Sequence, residues 1–160
     1  MPFSVTYNPQ AGYVRATVVG PVDVALAREI LKEVARRCQA TGCRRILNDA
    51  RKATFAMDLL DLNLLPELVT EAGIPPGSRR AFLVSGYLRE HQFLQGVSLL
   101  HDQKALVFDD LGEARRWLAK DEDTPTGGWR DGGPPGAELA VKLREVLDAP
   151  GRTTSRRAKV

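Results

Sequence analysis

Ser4–Tyr7 reads as a short strand, and Tyr13–Val19 alternates apolar with polar residues and is rich in β-branched side chains. Between them Asn8-Pro9-Gln10-Ala11-Gly12 carries the residues a turn needs, so the pattern predicts a β-hairpin that Gly20-Pro21 ends. The period then changes. Leu26, Ile30, Val34 and Cys38 recur at every fourth position, with Leu31 and Ala35 widening the stripe, while Arg28, Lys32, Glu33, Arg36 and Arg37 occupy the remaining positions. This spacing predicts an amphipathic helix that Asp23 caps and Gly42 stops.

Arg45 to Asn48 reads as a short apolar strand entering Asp49-Ala50-Arg51, and Lys52 to Met57 as a loop. A second helix is expected from about Asp58 to Ala72, with Leu59, Leu60, Leu62, Leu64, Leu65, Leu68 and Val69 on more than one of its sides. Such a helix buries one face and offers another to a partner. Pro66 lies inside the pattern and predicts a kink or break near residues 62–66; Gly73 and Pro75-Pro76-Gly77 end the element. Ala81–Ser85 follows as a buried strand, Leu88–Leu100 as a helix, Ala105–Phe108 as a strand, and Asp109-Asp110 opens a last helix carrying Ala114, Trp117 and Leu118. Strands alternating with helices of this length imply crossover connections and a largely parallel α/β sheet, to which the hairpin adds an antiparallel strand.

Residues 1–120 thus read as one compact domain. Beyond them, 121–136 is a Gly/Pro-rich linker, 137–149 a short helix with a stripe of Leu139, Leu143 and Val146, and 150–160 a basic tail. A helix that short is marginal by itself in water.

Composition narrows the function classes. With 43% hydrophobic and 27% charged residues in a chain of 160, a real core is affordable and disorder of the whole chain is not expected. A net charge of +3 without a concentrated basic face gives no nucleic-acid signature. Charges interrupt every apolar stretch, so no membrane span is expected. The opening MPFSVTYNPQ has neither a basic n-region nor an apolar h-region, so no secretory signal is expected and the cytosol is the default location. Two cysteines, Cys38 and Cys43, make no disulfide framework, and neither His91 nor His101 sits in a metal-ligand motif, so no metal and no cofactor are expected.

No catalytic constellation emerges either. Ser85-Gly86 follows a strand, but no G-x-S-x-G surrounds it. Lys104 precedes the last strand instead of following it, so Asp109-Asp110 reads as a helix cap and not as half of a phosphoacceptor site. Asp49 and Arg51 fall just beyond the expected end of their strand, where open α/β sheets place ligands. They either bind a ligand or pair with each other and the loop amides, and pairing is favoured.

The order hairpin–helix–strand–helix–strand–helix–strand–helix resembles the STAS-domain superfamily. The opening VTYNPQAGYVRATVVGPVD is similar to the start of its SpoIIAA-like (STAS/SEC14-type) bacterial members, ILNDAR to their third-strand motif, and ALVFDDLGEARRWL to their last strand and helix. Together these cover nearly all of residues 3–119. In the phosphorylated antagonists of this fold the switch is a serine at the N-terminus of the second helix, where free amide hydrogens and the helix dipole stabilise a phosphate. The resemblance places that position at Asp58 or an immediate neighbour; Thr54, the one nearby hydroxyl, lies too early. Asp58 is then either a helix cap, the favoured reading, or a fixed negative charge in the switch's place.

The resemblance implies a non-enzymatic regulatory or protein-interaction module. Its partner surface would include Asp49, Arg51, Thr54, Asp58, Leu59 and Leu62. The alternative is a small-ligand or lipid-binding SEC14-like domain with an apolar pocket lined by Leu64, Leu68, Phe93 and Val97.

Overall fold

Asn8 makes the first turn. Its Oδ1 accepts hydrogen bonds from the backbone N–H groups of Gln10 (3.0 Å) and Ala11 (3.2 Å), and the Gly12 N–H donates to the Asn8 carbonyl at 2.8 Å. Gly12 sits at φ +76, a left-handed conformation that glycine adopts without steric cost. The turn joins β1 (Phe3–Asn8) to β2 (Tyr13–Val22), antiparallel, with Phe3 opposite Val18. The computed structural model describes residues 2–86 and 89–120; the expected linker, short helix and tail over 121–160 lie outside them.

Among the described residues follow α1 (Val24–Thr41), β3 (Arg45–Phe55), α2 (Leu59–Ala72), β4 (Arg79–Leu83), α3 (Arg89–Leu100), β5 (Lys104–Phe108) and α4 (Leu111–Leu118). The five strands form one sheet in the order β1-β2-β3-β4-β5, in which β2 to β5 run parallel. This is the mixed α/β sheet with an antiparallel hairpin that the alternation of periods predicts.

The fourth strand lies two residues earlier than expected, at Arg79–Leu83 instead of Ala81–Ser85, and two further boundaries differ from the sequence reading for one reason. Gly20-Pro21 does not end β2, and β3 does not end at Asn48. The strands continue side by side as a ribbon, from Val19 opposite Lys52 to Val22 opposite Phe55. Beyond Val18, β1 no longer pairs with β2, so Pro21 lies where one side of its strand has no neighbour and its missing N–H costs no ladder bond on that side. Between Thr17/Asp49 and Val19/Lys52, β2 advances two residues and β3 three; the extra residue is a β-bulge at Asp49–Arg51. Asp49 and Arg51 therefore lie within a strand and not beyond its end.

Adjacent residues of a strand face opposite sides of the sheet. Ile46 packs with Ile30, Val34 and Cys38 of α1, whereas its neighbour Leu47 packs with Trp117 and Leu118 of α4. Helices α1, α2 and α3 thus cover one face, and α4 covers part of the other.

Pro66 sits inside α2 without breaking it. Leu62, Leu65, Leu68 and Val69 around it are buried, and packing of that face outweighs the lost amide donor. The Pro66 carbonyl accepts from Thr70 Oγ1 at 3.3 Å and from Gln103 Nε2 at 2.9 Å, which ties α2 to the start of β5. Gly73 ends the helix at φ +89, and its carbonyl accepts from Gln39 Nε2 of α1 at 3.0 Å. A Cβ at Gly73 would lie 2.8 Å from that nitrogen, the movable end of the Gln39 side chain, so it is the left-handed conformation that favours glycine here.

Candidate functional site

The β2–β3 ribbon delivers the chain to the N-terminus of α2. Asp58 caps the helix: its side chain accepts from the Asp61 N–H at 2.8 Å, and the Asp61 side chain accepts from the Asp58 N–H at 3.3 Å. This reciprocal capping box satisfies two of the amide donors a helix start leaves open. The favoured reading of Asp58 is what its geometry shows, and the residue stays exposed, so its charge also faces solvent.

The first half of α2 is apolar where it meets water. Leu60 is 76% exposed, Leu64 45% and Leu59 43%. Leu60 and Leu64 stand one turn apart on the same side of the helix. Residues 58–72 contain Asp58, Asp61, Glu67 and Glu71 and no Lys or Arg, so the helix's own charged residues are all acidic. Leu62, expected among them, is wholly buried: with Leu65, Leu68, Ala27 and Leu94 it forms the core between α1, α2 and α3. A spacing of two residues on a helix turns a side chain well away from its predecessor, and here it turns Leu62 inward.

Asp49 and Arg51 pair. Arg51 Nε donates to Asp49 Oδ1 at 2.9 Å and Arg51 Nη2 to Oδ2 at 2.8 Å, while Arg15 Nη2 of β2 reaches the same Oδ2 at 2.6 Å. Asp49 is only 5% exposed, and the Arg51 guanidinium foremost holds its carboxyl far below the usual carboxylate range; burial opposes that shift and the Arg15 hydrogen bond adds to it. The Ser85 hydroxyl donates to the Arg51 carbonyl at 2.7 Å, which fixes the chain after β4 against the bulge. Thr54 lies exposed on the ribbon. Asp49 and the Asp58 region are thus joined by the ribbon, but Asp49 is saturated by its two arginines and is no free ligand group.

Under α1, α2 and α3 the structure holds an apolar cavity of about 110 Å³. Ile30 and Val34 of α1, Leu65 and Val69 of α2, Leu94 of α3 and Phe55 of β3 contribute to its wall. The side chains expected to line a pocket do not line this one: Leu68 and Val97 are buried elsewhere, Phe93 is half-buried, and Leu64 faces solvent. The helices are rotated by about one residue from that expectation, so Leu65 and Leu94 take the places assigned to Leu64 and Phe93. His91 is half-buried, lines the cavity and packs on Phe55 with ring centroids 5.2 Å apart. Burial lowers its pKa despite the opposing charge of Glu90. His101 is exposed.

Among the described residues no group of three or more His, Cys, Asp or Glu side chains is placed to hold a metal ion. No described helix is long and apolar enough to cross a membrane.

No family model matches the chain, and no curated protein does. Solved structures do resemble it. The anti-sigma factor antagonist SpoIIAA in its unphosphorylated form is 14% identical, with 69% of this chain and 91% of that one covered and a TM-score of 0.44. An uncharacterized protein of the DUF3478 family with a SpoIIAA-like fold, from Shewanella loihica PV-4, is 15% identical over 73% of this chain and 92% of that one, with a TM-score of 0.48.

Proposed function

We propose that this chain is a regulatory protein-interaction module that meets its partner through the first half of α2. The observation that carries this reading is the exposure of Leu59, Leu60 and Leu64 beside the Asp58 cap. Among the described residues, three of the four large exposed hydrophobic side chains lie there, the fourth being Val19. A contiguous exposed apolar patch costs solubility, and such patches mark interaction sites. Asp58 supplies a standing negative charge at the position where the sequence resemblance puts a phosphorylated serine, so the surface is charged without a modifying enzyme. Thr54 lies on the ribbon that leads to it, and Arg51 at the bulge before that ribbon. Asp49 acts from beneath by holding Arg51.

The test is a quantitative pull-down from the source cell lysate with the unmodified protein and a Leu60→Asp, Leu64→Asp variant. Both leucines are exposed, so the variant keeps its melting temperature. A partner recovered with the unmodified chain and lost with the variant supports the surface; an unchanged set of partners removes it.

A second reading, a small-ligand domain, has a separate ground in the apolar cavity under α1, α2 and α3. The two are compatible, because α2 presents Leu60 and Leu64 outward while Leu65 and Val69 face the cavity.

A further inference from the structure

The cavity wall is mostly apolar, and among the described residues a single arginine lines it. Arg80 of β4 lines it and is only 4% exposed. Beside it on the same strand Arg79 faces the other side of the sheet, against Trp117. The Arg80 guanidinium donates through Nη2 to Gln103 Oε1 at 2.8 Å and lies 5.6 Å from the centre of the Phe82 ring. Neither is an anion. Among the described residues no carboxylate pairs with Arg80, and no Asp or Glu lines the cavity. Burial pulls the guanidinium down to about 10, still charged at neutral pH.

A buried charge without a counter-charge is costly, and arginine cannot escape by giving up its proton. The amide oxygen of Gln103 and the Phe82 face lower that cost but do not cancel it. An apolar residue in the same place would avoid it altogether. An anion seated in the cavity would both neutralise the guanidinium and meet the fork of donors that suits a carboxylate.

We infer that the cavity binds a small apolar molecule carrying one carboxylate, with the chain or ring against Ile30, Val34, Leu65 and Leu94 and the carboxylate on Arg80. This rests on the second reading above and names its ligand class. An engineered cavity of about 150 Å³ takes benzene, so about 110 Å³ suits a ring or a short acyl chain. Asn48, Thr54 and the half-buried His91, whose pKa burial lowers, are the further polar side chains that line the space, and none brings a negative charge.

Hexanoate, hexanol and hexylamine at neutral pH separate the claims, with affinity measured by calorimetry and the site located from methyl shifts of Ile30, Val34, Leu65 and Leu94 in NMR spectra. Hexanoate is expected to bind at least about tenfold more tightly than hexanol, with hexylamine weakest, and to move those methyls. In Arg80→Met the preference for hexanoate over hexanol is expected to vanish while hexanol still binds. Equal binding of hexanoate and hexanol to the unmodified protein would overturn the carboxylate and leave the ligand-binding reading standing. Binding of none of the three, or shifts confined to other residues, would overturn both. The comparison of the three head groups on the unmodified chain decides the matter even if Arg80→Met does not fold.

Discussion

Arg51 grips Asp49 with two parallel hydrogen bonds of 2.9 and 2.8 Å from only two residues further along the same strand. The bulge at this point of β3 re-aims the local backbone, and Arg15 completes the enclosure from β2. One carboxylate thus links two neighbouring strands at the place where the five-stranded sheet narrows to a ribbon.

Removing that carboxylate leaves two guanidinium groups facing each other. Asp49→Ala is expected to cost about 1.5–3 kcal/mol, the range for hydrogen bonds to a charged group. The sign of the pH dependence follows from the depressed folded-state pKa. The stabilisation is present above the ordinary aspartate range near about 4 and is lost as the pH falls below it. Denaturant melts from pH 7 to pH 2.5 should therefore show a shallower acid decline for Asp49→Asn than for the unmodified protein. Parallel declines would mean that Asp49 is not the group responsible.

Asp58 has two roles that substitution can separate. Asp58→Ala removes the cap and is expected to cost about 1 kcal/mol, whereas Asp58→Asn keeps an acceptor for the Asp61 N–H and should stay within about 0.5 kcal/mol of the unmodified protein. If partner binding needs the charge, Asp58→Asn loses the partner at unchanged stability. Retained binding would reduce Asp58 to a cap.

Leu60 and Leu62 are two residues apart and differ in everything that packing decides. Leu62→Ala empties a fully buried site and is expected to cost about 2–5 kcal/mol; Leu60→Ser should change stability by less than about 0.5 kcal/mol. Chemical denaturation of both variants checks the direction in which α2 faces, since a helix turned by one position would invert the result.

Cys38 is fully buried at the foot of α1, and burial, with Cys43 nearby as a lesser cause, pushes its thiol up to about 12. Cys43 is half-buried, its sulfur against the carbonyls of Gly12 and Arg45. At pH 8 a disulfide-exchange reagent is expected to leave Cys38 unmodified in the folded protein and to modify it once guanidinium unfolds the chain. Rapid modification of Cys38 under native conditions would contradict the packing of α1 on the sheet.

Much of the fold was legible because its elements are locally specified. Asn8 and Gly12 make the hairpin turn by their own chemistry, Asp23, Asp58 and Asp110 cap the helices they precede, and Gly42 and Gly73 end two of them. The spacing of Ile30, Val34 and Cys38 named the buried face of α1 because an 18-residue helix averages over local noise. The candidate site was legible in part. Asp58 and Leu59 lie where the sequence put them, but α2 is leucine-rich on all sides, so periodicity could not tell inward Leu62 and Leu65 from outward Leu60 and Leu64.

What the sequence alone determined is whatever depends on neighbours within a turn or two: hairpin, caps, helix ends, and the alternation that dictates a largely parallel sheet. The tertiary structure decided what depends on residues far apart in the chain. The β2–β3 ribbon exists because Val19–Val22 finds Lys52–Phe55, against the breaking tendency of Gly20-Pro21. Pro66 stays inside α2 because Leu62 and Leu65 before it and Leu68 and Val69 after it are packed into the core. Arg80 became a buried cation facing an apolar cavity only when α1, α2 and α3 closed over β4, and Asp49 became a saturated acid only when Arg15 arrived from the next strand. Pairing and burial are sums over many distant contacts, and they can overrule any single residue's local preference.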